Sequence, residues 1–430
     1  MRSGLTRRNQ VAGIASKAHA RSAKAKGKSN RNKNPEGISP MAGSFALADA
    51  QAYLQRTQLD GWLLEDFHHN NPIFWQVVGG RRHTTRRAFL LIPPHGSPRF
   101  LLHEVDAQRL TDLGWPVEVY RSRADQEKGL QTLLDGRQRI AMEYSPGCAL
   151  PVVSRVDAGT IEEVQALGVQ VVSSGDVLQY AVSRWTPEQV EMHRIAAQAV
   201  VDVAQDAFGF IHQNLAAGIG EIEVRQFILD RFAALGLMTD EGPTVAVNQH
   251  SGDPHYEPTR ESSAPIRTGD WVLIDLWGKL TQTGAIYGDT TWVAYVGNQV
   301  PILYERVFDV VRRARDAAVN FLEDAWRQGR ALEGWEVDRL AREIIERDGY
   351  AAFFTHRLGH SLGEAIHSNG VNLDSFETRD TRQIIPGVGF TIEPGIYLND
   401  FGVRLEINVY VDPSKGPTVT TPLQREIIRI

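Results

Sequence analysis

Cysteine is almost missing from this chain: among 430 residues only Cys148 occurs, so no internal disulfide can form and no Cys-x-x-Cys pair exists. With no histidine beside it, Cys148 reads as a packing residue rather than a nucleophile. Nothing here asks for an oxidising compartment, and a cytoplasmic location is the expectation. Long apolar runs are missing too. The longest, such as 88–93, have the length of a strand, far below the roughly 18 apolar residues a membrane helix needs. A phosphate-binding Gly-rich loop with its lysine is also absent. What remains is 42% hydrophobic and 23% charged, which excludes collagen-like, coiled-coil and wholly disordered classes. The length suits two or three domains, each able to bury a core.

The net charge of −6 hides an asymmetry. Residues 1–40 carry ten Lys/Arg against one acid, Glu36, a local charge of +9 that leaves −15 on the remainder. A body this acidic is not expected to bind nucleic acid. The basic segment could contact nucleic acid or serve as an organelle transit peptide. The plainer reading is a flexible tail, or upstream sequence translated before a start at Met41, because patterned sequence begins right after that methionine.

From 41 to 183 strand-like segments (59–67, 86–93, 99–105, 139–144, 169–173) alternate with helical ones (45–55, 159–167), and this argues for an α/β domain. No catalytic motif occurs in it. The stretch 68–75, with Asn70, Asn71, Phe74 and Trp75, reads as a surface loop or as a wall closing a substrate groove. A strong helix start then follows at Thr186-Pro187-Glu188-Gln189: cap hydroxyl, proline at the first position, glutamine at the capping-box position. Residues 184–430 read as two helices, two strands, two helices, two strands. This doubling predicts two similar halves around one antiparallel sheet.

Four carboxylates sit inside apolar strand patterns: Asp275, Asp289, Glu393 and Glu406. A carboxylate in a sheet is costly unless a cation or several donors compensate it. One alone would be a strand end or an ion pair; four in consecutive strands point to divalent metal. Histidines gather nearby at His250, His255, His356, His360 and His367, although their spacing does not fix which are ligands. A hard, oxygen-rich set with one imidazole favours two six-coordinate, Mn²⁺-like ions over a four-coordinate zinc. The rival motif, Gly359-His360-Ser361-Leu362-Gly363, matches a nucleophile elbow. Only His367 follows it, six residues on, which leaves no room for the acid-then-histidine order of that architecture.

At these positions the sequence resembles the M24 metallopeptidases, the family of prolidases, Xaa-Pro aminopeptidases and methionine aminopeptidases. The resemblance rests on Pro254-His255-Tyr256, Leu273-Ile274-Asp275, Asp289-Thr290-Thr291, Gly359-His360, Ile392-Glu393-Pro394-Gly395 and Arg404-Leu405-Glu406. It covers about 186–430, and 41–183 resembles the creatinase-type N-terminal domain. It implies an α+β pita-bread catalytic domain, and two divalent metal ions held by Asp275, Asp289, His360, Glu393 and Glu406. It further implies that Glu393 shuttles the proton, that His255 and His367 line the substrate groove, that His356 is a further active-site histidine, and that Arg404 stands beside the bridging glutamate. Thr291 fits a hydroxyl steadying a ligand carboxylate. The implied activity is hydrolysis of the first peptide bond of Xaa-Pro substrates through a hydroxide bridging the two ions, in a homodimer. The same scaffold hosts small-molecule hydrolases and a dimethylsulfoniopropionate lyase, which is the competing enzymatic reading. A non-catalytic binding module ranks last, since such relatives have lost the ligand set.

Overall fold

A computed structural model of the chain describes residues 45–430; the basic segment 1–40 lies outside them. The first part is a six-stranded mixed sheet. Its order is Val117–Tyr120, Arg99–His103, Ala88–Ile92, Gly61–Asp66, Arg139–Met142 and Gln170–Ser173. The hairpin expected around residues 94–97 is present, with Leu91 opposite Arg99. All six residues of Gly61–Asp66 are buried, because helices cover both faces of the sheet. Residues 68–75 are not a loop throughout. Asn71 accepts hydrogen bonds from the Ile73 and Phe74 amides and starts a helix, Pro72–Val77, whose Phe74 and Trp75 enter the core.

The second part begins with the helix Pro187–Asn214. Its capping box forms as the sequence demands: Gln189 N–H donates to Thr186 Oγ1 (3.2 Å), and Thr186 N–H donates to Gln189 Oε1 (3.0 Å). Four helices pack in two pairs. Pro187–Asn214 and Glu221–Leu235 share a core with Val272, Ile274 and Leu276. The core of Ile302–Arg327 and Gly334–Arg347 takes Trp271 and Leu273 from the opposite face of the same strand. This alternation is the period of two expected of a strand covered on both sides.

The expectation of a single sheet is corrected. Strands Trp271–Leu280 and Gly288–Tyr295 belong to a five-stranded sheet, whereas Gly389–Ile392 and Ile407–Asp412 belong to a four-stranded one. Where the sheets meet, one side chain takes the place of a backbone rung. The Asn408 carboxamide accepts from the Asp289 amide (2.9 Å) and donates to the Asp289 carbonyl (2.8 Å). The last hairpin is also interrupted. Ile392 faces Ile407 and Gly395 faces Arg404 in one continuous register, yet the ladder stops between them at Glu393-Pro394 and Leu405-Glu406. Proline has no N–H to give a ladder, and at the break the Glu393 amide donates to the Leu358 carbonyl (2.8 Å) and the Glu406 amide to the Thr291 carbonyl (3.3 Å). No helix among the described residues is long and apolar enough to cross a membrane.

Candidate metal centre

The site grows from strand register. Asp275 pairs with Thr291, and Asp289 pairs with Trp277, so both aspartates lie diagonally on one face of adjacent strands. Glu393 and Glu406 sit opposite each other at the hairpin break. His360 enters beside them: its amide donates to Thr391 Oγ1 (2.9 Å), and that hydroxyl donates to Glu393 Oε1 (3.1 Å). The approach is so close that only glycine fits at 359, where a Cβ would lie 2.0 Å from the Thr391 carbonyl oxygen.

Ligand atoms of Asp289, His360 and Glu406 lie within 4.8 Å of one another. Glu393 Oε1 and Asp289 Oδ2 are each 3.5 Å from His360 Nε2. His360 Nδ1 faces the Ser361 carbonyl at 3.3 Å, which leaves Nε2 turned toward the carboxylates. Asp275 joins through Thr291. That hydroxyl accepts from Arg404 Nε (2.9 Å) and lies 3.0 Å from Asp275 Oδ1 and 2.8 Å from Glu406 Oε2. Arg404 also ion-pairs with Asp275 and donates to Tyr397 Oη (2.9 Å). Tyr397 continues the chain to His356 Nε2 (2.7 Å), and His356 Nδ1 donates to the Arg357 carbonyl (2.6 Å). Both ring nitrogens of His356 are thus occupied, and burial with Arg404 nearby lowers its pKa to about 3, so it is neutral. It braces the site through Tyr397.

Asp275, Asp289, His255, His356, His360, His367, Glu393, Arg404 and Glu406 line one cavity of about 710 Å³. His367 packs edge-on to His360, with ring centroids 4.4 Å apart. His250 does not reach the cavity: its Nδ1 donates to Glu221, a buried carboxylate that also accepts from Tyr256 Oη and the amides of Val247 and Ala264. Glu221 thereby pins the segment that carries His255. Ser361 Oγ accepts from the Gly370 amide (3.0 Å) and, among the described residues, belongs to no acid–histidine relay. A larger cleft of about 1140 Å³ lies in the first part of the chain, where Arg87 pairs with Glu65 and Glu163.

Tyr397, Thr391 and Glu221 were not read from the sequence. Thr391 carries a signal, since it lies two residues before Glu393 and so shares its face of the strand. Tyr397 and Glu221 look like an ordinary buried aromatic and a first-turn helix acid.

The electrostatics ask for a cation. Four carboxylates face one buried guanidinium, and among the described residues Asp289 Oδ1 is buried without a hydrogen-bond partner. Burial raises the pKa of Asp275, Glu393 and Glu406, with the charge of Asp289 adding to all three; Glu406 rises well above the ordinary carboxylate range. Burial opposes charge on His360, yet Asp289 and Glu393 outweigh it and raise its pKa. This donor set fits divalent metal.

The model of the metallopeptidase family M24 matches residues 191–413, just over half of the chain. A Bacillus subtilis protein provisionally named dipeptidase YkvY is 32% identical over 216 residues, which are 50% of this chain and 54% of that one, so the match spans about half of that relative's length. Among solved structures, the dipeptidase PepE from Mycobacterium ulcerans aligns with a TM-score of 0.67 at 24% identity, covering 89% of this chain and 96% of that one. A prolidase from Thermococcus sibiricus aligns with a TM-score of 0.60 at 22% identity, covering 89% and 98%. The shared fold is the pita-bread fold expected from the sequence. With its family model matched and its carboxylate centre assembled, this chain belongs to metallopeptidase family M24.

Proposed function

We propose that the chain is a dinuclear-metal peptidase hydrolysing the first peptide bond of Xaa-Pro substrates. The observation carrying this reading is the convergence of Asp275, Asp289, His360, Glu393 and Glu406 on one cavity, where four carboxylates meet a single buried guanidinium. The similarity to a prolidase supports the preference for proline. Mn²⁺ is the proposed metal, because one imidazole among carboxylates suits six-coordinate ions; Co²⁺ and Zn²⁺ are the alternatives. Two such ions would supply an acidified water and a polarised scissile carbonyl.

The protein's own part is proton handling and orientation. Glu393, whose pKa burial has raised, takes a proton from the attacking water and delivers it to the leaving nitrogen. His255 and His367, at the cavity wall, donate to the developing oxyanion. Arg404, Thr291, Tyr397 and His356 form a hydrogen-bonded chain that holds Asp275 and Glu406 in place. The proposal extends to 41–183 as the N-terminal domain, 184–430 as the catalytic domain, and a cytoplasmic homodimer.

The test uses chelator-stripped protein reloaded with Mn²⁺, given Xaa-Pro dipeptides, Xaa-Pro-Yaa tripeptides and non-proline controls. Metal-restored cleavage confined to Xaa-Pro bonds is the expected result. No cleavage with two ions bound overturns the proposal in favour of a small-molecule hydrolase or lyase.

A further inference from the structure

Trp277 is the largest apolar side chain lining the catalytic cavity, and its place follows from register. It stands two residues beyond Asp275 on the same face of the strand, directly opposite Asp289. The indole packs on a cluster that includes Trp185, Tyr287 and Leu362. Its Nε1 is buried with no hydrogen-bond partner among the described residues, a cost that leucine or phenylalanine would avoid. What the indole adds at the cavity wall is a broad, electron-rich ring.

A bulge brings an acid to the same place. Met238 lies opposite Lys279 and Thr244 opposite Asp275, so residues 239–243 run beside only 276–278. Gly242 seats the bulge against Arg225: a Cβ there would lie 1.7 Å from Nη2 of that arginine, whose Nε donates to the Pro243 carbonyl (3.2 Å). The excursion puts Glu241 on the cavity wall alongside Trp277. Glu241 is exposed, and among the described residues its carboxylate has no hydrogen bond or ion pair. The cations nearby are already engaged. Lys279 donates to the Glu364 carbonyl and lies over the Tyr287 ring, Arg357 pairs with Glu377, and Arg404 is held by Asp275, Thr291 and Tyr397. This part of the wall therefore offers an aromatic surface and a free negative charge.

We propose that Trp277 and Glu241 select substrates whose first residue is lysine or arginine, the stem lying along the indole and the cationic head meeting the ring and the carboxylate. Tryptophan attracts a cation more strongly than any other aromatic side chain, and a carboxylate beside it adds to the attraction. Trp277 stands one strand repeat, about 7 Å, from Asp275, a span that the four-carbon stem of lysine crosses. In an Xaa-Pro substrate the second side chain is uncharged, so the selected cation is the side chain of the first residue. The α-amino group is common to all such substrates and does not discriminate among them. This inference rests on the peptidase reading above, and its test separates the two.

For the Mn²⁺-loaded native chain, Glu241→Gln and Trp277→Leu, kcat/KM is measured on lysyl-proline and norleucyl-proline, norleucine keeping the straight stem without the ammonium. The native chain is expected to favour the lysyl substrate by about tenfold, expressed in KM. Added salt shrinks that ratio, because Glu241 is exposed. Each substitution brings the ratio toward one, and Glu241→Gln does so without changing cleavage of norleucyl-proline. A native ratio of one or less, or a ratio unchanged in both variants, overturns the inference while leaving the peptidase reading intact. If the native chain cleaves neither substrate, the peptidase reading fails. Calorimetry on the same Mn²⁺-loaded protein then decides the cation question alone. Lysyl-proline binding at least fivefold tighter than norleucyl-proline, with the difference lost in Glu241→Gln, supports the inference, and equal binding of the two to the native chain overturns it.

Discussion

Asp289→Asn should reverse the sign of its effect on stability when metal is added. The substitution is nearly isosteric and leaves the backbone bonds of residue 289 to Asn408 intact. What it removes is one of four buried like charges. The ligand atoms of Asp289 and Glu406 lie within 4.8 Å of each other, and two unit charges at that limit in a medium of effective dielectric 20 repel by about 3.5 kcal/mol. Proton uptake by Glu406 relieves part of this and loss of the Asp289 contact with His360 offsets more, so the net gain in chelator at pH 7 is about 1 kcal/mol. Saturating Mn²⁺ works the other way. A native chain held at a hundred times its dissociation constant gains about 2.7 kcal/mol, whereas the variant, having lost a ligand, gains little. Denaturant unfolding of both proteins with chelator and with Mn²⁺ reads the crossover. The pH dependence is a second check. Carboxylates with raised pKa values bind more protons in the folded state, so the metal-free native chain should lose stability as pH rises from the ordinary carboxylate range through the raised values. The variant should show a shallower fall. A variant less stable than the native chain by the same amount in both conditions would refute the reasoning and make Asp289 a plain structural acceptor.

Three further outcomes are expected. Thr291→Val keeps the β-branched shape but removes the hydroxyl between Arg404, Asp275 and Glu406; Mn²⁺ affinity by calorimetry should fall about 10- to 100-fold, and unchanged affinity would remove Thr291 from the support of the site. His193 is fully buried, donates from Nδ1 to the Tyr287 carbonyl, and has its pKa lowered to about 4 by burial. Its contribution to stability is therefore complete above about pH 6.5 and declines as pH falls toward 4, by about 3 kcal/mol in all; His193→Gln should flatten that acid limb. Ser361→Ala should cost about 1 kcal/mol in stability, through the orphaned Gly370 amide, and leave the catalytic rate within a factor of two, whereas a loss of a thousandfold would revive the serine mechanism.

How much was legible follows from the range of each interaction. The start of Pro187–Asn214 could be read because its cap lies within four consecutive residues. The carboxylates could be read because charge inside an apolar strand is conspicuous at any fold. His250 and His255 look alike in sequence, yet one turns inward to Glu221 and the other lines the cavity, a difference decided by a partner 29 residues away from His250. The helix Pro72–Val77 was hidden because it is short and its apolar residues face a core assembled from distant strands. The seam between the two sheets is bridged by Asn408, an ordinary polar residue in a strand until its partner 119 residues away is known. The parallel pairing of Ile428–Arg429 with Gly288–Tyr295 is equally non-local. Tyr397 belongs to the same class, since its role exists only once Arg404 and His356 converge on its hydroxyl.

The seam at Asn408 also bears on how the protein matures. Asp275 and Asp289 come from one sheet; His360, Glu393 and Glu406 come from the strands of the other and their flanks. A chain that has folded only through residue 295 holds two aspartates and no complete donor set. A divalent ion can therefore be retained tightly only after the C-terminal hairpin has docked across the seam. Loading would then act as a quality check on folding, with partly folded chains left metal-free and unable to cut peptides while the second half is still being made.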